Sequence, residues 1–143
     1  ILVSFIMKYS VNVTDMKHVK AQKRGCKVYF KNTRETGHAI KGMKFSSAQR
    51  YLELVISKEE IVPFLRYRKG TGRHGASISI AGTQQGRWPE KSARVLGSLL
   101  ESLAGAAKDK GMDRSRLVIK HVQVNQARCG SRRTYRAHGR ISG

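Results

Sequence analysis

The acidic residues are confined to the middle of the chain, which limits the parts that can build a compact core. All nine lie between Asp15 and Asp113, so the 30 residues after Asp113 carry eight Lys or Arg and no acid. With 29 basic residues against 9 acidic ones in 143, the net charge is +20. A domain with this charge repels itself unless an anionic partner neutralises it, and such partners are usually nucleic acid or an anionic membrane. We therefore expect one domain with basic ends.

A membrane partner is disfavoured by the apolar runs of the chain. The longest is ILVSFIM at residues 1–7, shorter than the roughly 20 residues that a membrane-spanning helix needs. No basic region precedes it, as one would in a secretory signal. Cys26 and Cys129 form no CxxC pair, so reduced thiols in the cytosol are expected rather than a disulfide framework.

The segment from Cys26 to Gly42 predicts a short strand followed by a short helix. CKVYFK, Cys26 to Lys31, alternates in polarity as a half-buried strand does. Asn32, with Glu35 three residues later, resembles a capping box at a helix start. The residues that this helix would bury are Ala39, Ile40 and Met43.

Two further segments carry the three- and four-residue apolar spacing of amphipathic helices. One begins at the cap pair Ser46 and Ser47 and is closed by Pro63. The other begins at Pro89, which suits the first helical position, and runs to Gly111. Their expected buried residues are Ala48, Tyr51, Leu52 and Val55 in the first helix, and Ala93, Leu96, Leu100, Leu103 and Ala107 in the second.

The stretch RLVIKHVQV, Arg116 to Val124, is rich in β-branched residues and predicts a strand. Val118, Val122 and Val124 would share one side of it. If the chain stayed extended to Cys129, it would reach roughly 50 Å at about 3.3 Å per residue. We therefore expect an arm that leaves the globule.

Between Phe64 and Arg87 the chain holds five glycines and five Lys or Arg, and a loop of this length is usually functional or mobile. The alternating ISI at Ile78 to Ile80 predicts a brief strand within it. GTGRHG, Gly70 to Gly75, matches the GxGxxG dinucleotide pattern but lacks the flanking strand, helix and acid that this fingerprint needs. A basic loop whose glycines let the backbone approach phosphates is the favoured interpretation.

Catalytic and metal sites are not indicated by the sequence. The five histidines and two cysteines show no ligand spacing, and no GxSxG elbow or paired carboxylate is present. We expect a protein that is not an enzyme and needs no cofactor or metal.

The closing stretch RRTYRAHGRISG combines four arginines with two rings and no acid. Arginine binds phosphate through two parallel hydrogen bonds, and the rings of Tyr135 and His138 can stack on unpaired bases. The three predicted helices lack the clustered exposed basic charge of a DNA-reading helix. RNA is therefore favoured over DNA.

Several motifs, in this order, resemble one ribosomal protein family: FKNTRETGHAIKGM, VPFLRYRKGTGR, QGRWPEKSA, LVIKHVQVN and RRTYRAHGRI. The family is the large-subunit one called L-twenty-two in bacteria and L-seventeen in eukaryotes, and the eukaryotic cytosolic form is more similar. The resemblance runs from Met7 to Ile141 and leaves Ile1 to Ile6 unexplained.

The resemblance implies an α+β fold of three helices packed on a small antiparallel sheet, with a long β-hairpin arm. It places the globule near the polypeptide exit, and the arm tip in the tunnel wall. Family members continue with a return strand, which this sequence does not contain after Gly143, so we expect either a truncated sequence or a protein that has lost the strand. The expected division is a basic N-terminal extension at 1–25, a globular domain at 26–125 that includes the inbound arm strand Leu117 to Asn125, and an arm tip at 126–143.

The partners implied are large-subunit ribosomal RNA, neighbouring ribosomal proteins around the tunnel and the nascent polypeptide near the arm tip, but no membrane. The implied location is the cytoplasmic ribosome, with nucleolar assembly in a eukaryote. Trp88 could either stack on RNA or pack beside a helix start. A free-standing basic RNA chaperone with the same fold is the alternative function. The residues expected to bind ribosomal RNA are Lys20, Lys23, Arg24, Lys27, Arg66, Arg68, Lys69, Arg73, Arg87, Arg128, Arg132, Arg133, Tyr135, Arg136, His138 and Arg140.

Overall fold

A computed structural model of the chain describes residues 17–75 and 82–127, together with 132–133, 138 and 141–142. The described residues form three α-helices and two short antiparallel strand pairs, which confirms the predicted α+β class. The helices are α1 (Phe30–Ile40), α2 (Phe45–Ser57) and α3 (Glu90–Asp109); the strands are β1 (Val62–Pro63), β2 (Gly86–Arg87), β3 (Arg132–Arg133) and β4 (Ile141–Ser142). A single 3₁₀ turn, Arg114–Arg116, follows α3.

The core lies where the apolar stripes of α2 and α3 face each other, and α1 and β1 complete it. Each large side chain buried there contributes about 1.5–3 kcal/mol relative to an exposed one. Leu103, Ala39 and Met43 are only partly buried against this core. The other predicted positions are confirmed as buried: Ile40, Ala48, Tyr51, Leu52, Val55, Ala93, Leu96, Leu100 and Ala107.

The start of α1 differs from the prediction. The strand expected over Cys26 to Lys31 is wrong, because the amide of Val28 donates to the Cys26 carbonyl in a tight turn and the helix already begins at Phe30. The predicted cap at Asn32 is wrong for the same reason. Tyr29 occupies the N-cap position, without a side-chain hydrogen bond to the helix.

The ends of α2 also differ. The helix begins at Phe45 with Lys44 as N-cap, so the serine pair lies inside its first turn. It ends at Ser57 because Lys58 adopts a left-handed conformation, with φ 68°, which stops the helical path. Pro63 therefore does not end the helix but lies in β1.

Strands β1 and β2 close the basic loop between them. Val62 pairs with Arg87 and Pro63 with Gly86. A Cβ on Gly86 would lie 2.8 Å from the Val62 carbonyl oxygen, so only glycine permits this approach. The brief strand predicted at Ile78 to Ile80 lies outside the described residues.

The segment after the 3₁₀ turn is extended and runs beside the α1–α2 connection. The Ile119 carbonyl accepts from the Gly42 amide at 2.8 Å, and the Phe45 amide donates to the Leu117 carbonyl at 2.9 Å. Only Val118 forms a bridge, with Lys44, so the regular strand predicted over Arg116 to Val124 is wrong.

The side-chain alternation of this segment changes phase at Lys120 and His121, which are both exposed. Leu117 and Ile119 therefore face the core before this point, and Val122 faces it afterwards. The prediction that Val118 shares the inward side is wrong, since it is 52% exposed.

Strands β3 and β4 pair antiparallel, Arg132 with Ser142 and Arg133 with Ile141. The chain thus reverses direction between them, within the stretch predicted as the arm tip. This pair does not test the expected absence of a strand returning to the globular sheet, and the division into extension, globule and tip stays a prediction. Among the described residues, no helix is both long and apolar enough to cross a membrane.

Candidate nucleic-acid interface

A buried carboxylate holds the first part of the basic loop against α1. Glu35 is 1% exposed, and its Oε2 accepts from the Leu65 amide at 3.0 Å. Its Oε1 accepts from the Tyr67 amide at 3.2 Å and from Arg34 Nη1 at 3.0 Å. The carboxylate therefore fixes the backbone on both sides of Arg66, so the core determines where the basic loop begins.

The predicted cations of this loop are all exposed; four of them lie between β1 and β2, and Arg87 belongs to β2. Among the described residues, none of them has a carboxylate within 4 Å, because the ion pairs there are Arg34 with Glu35, Lys58 with Glu90, and Arg116 with Asp113. The loop cations thus present uncompensated positive charge to solvent. They are Arg66, Arg68, Lys69, Arg73 and Arg87.

Two contacts shape the far side of the loop. Arg87 Nη2 donates to the Gly70 carbonyl at 2.8 Å, and Gln85 Nε2 donates to the Thr71 carbonyl at 3.2 Å. Gly70 has φ 72°, a left-handed conformation that glycine adopts without strain. The loop is therefore folded back on β2, which brings Arg87 near the loop turn.

Two cations lie over one aromatic ring of the loop, that of Tyr67. Lys31 Nζ lies 5.8 Å from the centre of the Tyr67 ring, and Arg66 Cζ lies 5.7 Å from it. The Phe30 ring packs edge-on against Tyr67, with 5.9 Å between centres. Sequence reasoning missed Lys31 and Tyr67, as well as Tyr29, which is 77% exposed. The interleaved rings and lysines of KVYFK were the available signal, and they were interpreted as a strand.

Trp88 favours the packing alternative. Its indole Nε1 is buried and has no hydrogen-bond partner among the described residues, and its ring meets the His74 ring edge-on at 4.9 Å. Trp88 is therefore half-buried and packed against a neighbouring side chain.

The N-terminal segment that the structure describes lies along α3. Lys23 Nζ donates to Ser98 Oγ at 2.7 Å, and Lys110 Nζ donates to the His18 carbonyl at 3.0 Å. The predicted RNA contacts of this segment divide into half-buried Lys20 and exposed Lys23, Arg24 and Lys27. They are separate in sequence from the loop cations, and Lys23 is already engaged with α3.

Comparison with known proteins identifies the family. The family model described as Ribosomal protein L22p/L17e matches residues 21–143. The chain belongs to this family. Relatives bearing the name Large ribosomal subunit protein uL22 include one from Ixodes scapularis, 52% identical over 136 residues that cover 94% of this chain and 73% of the relative.

Two further relatives of that name are also eukaryotic, as the resemblance predicted. The protein from Drosophila melanogaster is 52% identical over 126 residues, which cover 88% of this chain and 67% of the relative. The protein from Zea mays is 48% identical over 126 residues, covering 88% of this chain and 74% of the relative.

Membership of the L22p/L17e family confirms that the chain is not an enzyme, since the family is a structural one. The GxGxxG match at Gly70 to Gly75 does not directly follow a strand, since β1 ends at Pro63, so it departs from the dinucleotide fingerprint.

The predicted arm-tip residues of this family member are only partly described. His138 is exposed with φ 64°, and Arg132 and Arg133 form β3. Four predicted residues lie outside the described part of the chain: Arg128, Tyr135, Arg136 and Arg140. For all of the arm residues, RNA contact stays a prediction.

Proposed function

We propose that this protein of the L22p/L17e family is a structural constituent of the large ribosomal subunit and binds the subunit's ribosomal RNA through its basic loop, its N-terminal segment and its arm. The observation that carries the proposal is the group of five exposed cations in the loop and in β2, none of which forms an ion pair with a carboxylate among the described residues. Glu35 fixes the backbone on either side of one of them, Arg66, from the core.

The mechanism is electrostatic. Phosphates that contact lysine or arginine release their condensed counterions, which favours binding and makes it depend steeply on salt. A loop with fixed backbone and uncompensated charge reduces the ordering cost of each contact. Such a protein joins RNA segments that would otherwise repel each other.

The arm supports a finer proposal. Its first residues run extended along the α1–α2 connection, and β3 and β4 pair antiparallel. We infer a hairpin that lines the exit tunnel, near the nascent polypeptide and neighbouring ribosomal proteins. The proposed location is the cytoplasmic ribosome after nucleolar assembly.

Salt-dependent RNA binding tests the loop. Log affinity falls with log salt, by about 0.7 for each contact to a phosphate of single-stranded RNA. Replacing Arg66, Arg68 and Lys69 by glutamine should therefore make this negative slope shallower by about 2. Glutamines at the exposed helix positions Arg50, Lys91 and Arg94 make the matched control, because they remove the same charge elsewhere. Equal losses in both triple variants would refute a role for the loop in particular.

Sucrose-gradient sedimentation of the tagged protein tests residence in the ribosome. A constituent should remain with the large subunit at high salt, and the loop variant should be incorporated poorly. Release of the unmodified protein at high salt would favour the RNA chaperone alternative.

A further inference from the structure

The cluster around Tyr67 joins two elements that the predicted interface treated separately. Lys31 belongs to the first turn of α1, whereas Arg66 and Tyr67 belong to the loop after β1. Both cations lie over one ring, at 5.8 and 5.7 Å from its centre. A cation–π contact at an exposed site contributes only about 0.5–1 kcal/mol, so both cations remain available to an anion.

No acid in the described part of the chain forms an ion pair with either cation. The first turn of α1 contains no acidic residue, and the nearby carboxylate, Glu35, is buried and already accepts from three donors. Within the described residues, neither Lys31 nor Arg66 has a hydrogen-bond or ion-pair partner.

The Tyr67 ring that both cations approach is itself held in place. The Tyr67 amide is fixed by Glu35 at 3.2 Å, and Phe30 packs edge-on against the ring. Two cations without an ion-pair partner thus lie within 6 Å of the centre of one fixed ring, and a fixed site lowers the ordering cost of binding an anion.

We propose that Lys31, Arg66 and Tyr67 form one subsite that binds a single phosphodiester group of RNA. Arg66 donates from its planar guanidinium, Lys31 supplies a point charge from α1, and Tyr67 keeps both in place. This inference rests on the proposed RNA binding and deepens it, because it couples α1 to the loop through one shared phosphate.

A double-mutant cycle tests the shared phosphate. The probe is a fluorescein-labelled single-stranded RNA 12-mer, and its anisotropy gives the affinity for wild type, Lys31→Gln, Arg66→Gln and the double variant. If one phosphate is shared, the double variant should lose at least about twofold less affinity than the product of the single losses. Arg50→Gln combined with Arg66→Gln is the control pair, and its losses should multiply.

Substitutions of Tyr67 separate platform from charge. Tyr67→Leu should weaken binding about two- to fivefold without changing the net charge, as loss of the cation–π contacts predicts, while Tyr67→Phe should bind as wild type does. Circular dichroism confirms that each variant is folded.

The outcomes distinguish this inference from the proposed function. Multiplying losses for Lys31 and Arg66, or unchanged binding by Tyr67→Leu, would overturn the subsite while salt-dependent RNA binding stands. Absence of RNA binding by the wild-type protein would overturn both.

Discussion

Replacement of Glu35 by glutamine makes the sharpest prediction, because charge and structure demand opposite results. The change removes a negative charge from a protein of net charge +20, so simple electrostatics predicts stronger RNA binding. The structure predicts weaker binding. The carboxylate holds the Leu65 and Tyr67 amides, and without it the backbone around Arg66 is no longer fixed.

The cost to stability follows from the donors that lose their acceptor. Hydrogen bonds to a charged group contribute about 1.5–3 kcal/mol each, against about 1 for neutral ones. A glutamine can accept one of the two amide bonds, but its own NH₂ group would face a donor. We expect a loss of about 2–4 kcal/mol, which leaves a domain of ordinary stability, about 5–15 kcal/mol, folded at 25 °C.

Three measurements check this reasoning. Urea unfolding followed by circular dichroism gives the stability, and hydrogen exchange should show lost protection at the Leu65 and Tyr67 amides while α3 stays protected. RNA affinity should fall. Glu53→Gln, which removes an exposed charge from α2, is the control and should bind RNA slightly more tightly. Tighter binding by Glu35→Gln, or a stability change below about 0.5 kcal/mol, would refute the argument.

Further predictions concern the core. Gly86→Ala should destabilise the protein by about 1–3 kcal/mol, because its Cβ would clash with the Val62 carbonyl and the Ile61 side chain. The control Gly97→Ala has open space around the new Cβ and should stabilise the protein by about 0.5–1 kcal/mol. A higher thermal unfolding temperature for Gly86→Ala than for Gly97→Ala would contradict the strand pairing. Burial raises the pKa of Tyr51 well above its usual value, and the Glu60 charge adds to this effect. The stability that the neutral Tyr51 side chain contributes is therefore fully present below about pH 10, the pKa of an unfolded tyrosine. It is lost as the pH rises through the raised pKa of the folded protein. Absorbance titration should show Tyr51 ionising only on alkaline unfolding, and its early ionisation in the folded protein would refute this. Tyr51→Phe should cost about 1–3 kcal/mol, since it leaves the Ile61 carbonyl without its donor, whereas Tyr29→Phe should be neutral.

The buried stripes of α2 and α3 could be predicted because helical spacing of apolar residues is a local signal. The role of Glu35 could not, since its partners lie 30 and 32 residues away in the sequence. Its spacing from Asn32 imitated a capping box, and that local pattern was misleading. The alternation in CKVYFK was likewise misleading, because three alternating apolar residues are too few to distinguish a strand from the turn and helix start found there. The helix α1 already begins at Phe30.

For the interface, charge alone correctly indicated exposed cations between Phe64 and Arg87, but it did not reveal how they are held. Lys31 and Tyr67 meet only because α1 and the loop fold together. Contacts between distant segments leave no periodic trace in the sequence, which is why these two residues were missed.

The phase change at Lys120 and His121 determines which side chains of the next residues face the core. Without this change, alternation with a period of two would continue the inward side from Leu117 and Ile119 to His121. Val122 would then turn away from Gly37, where its Cγ1 now lies 3.1 Å from the position of a Cβ. Two exposed polar residues, Lys120 and His121, thus determine that the side chains of Val122 and Val124 lie against Gly37 of α1.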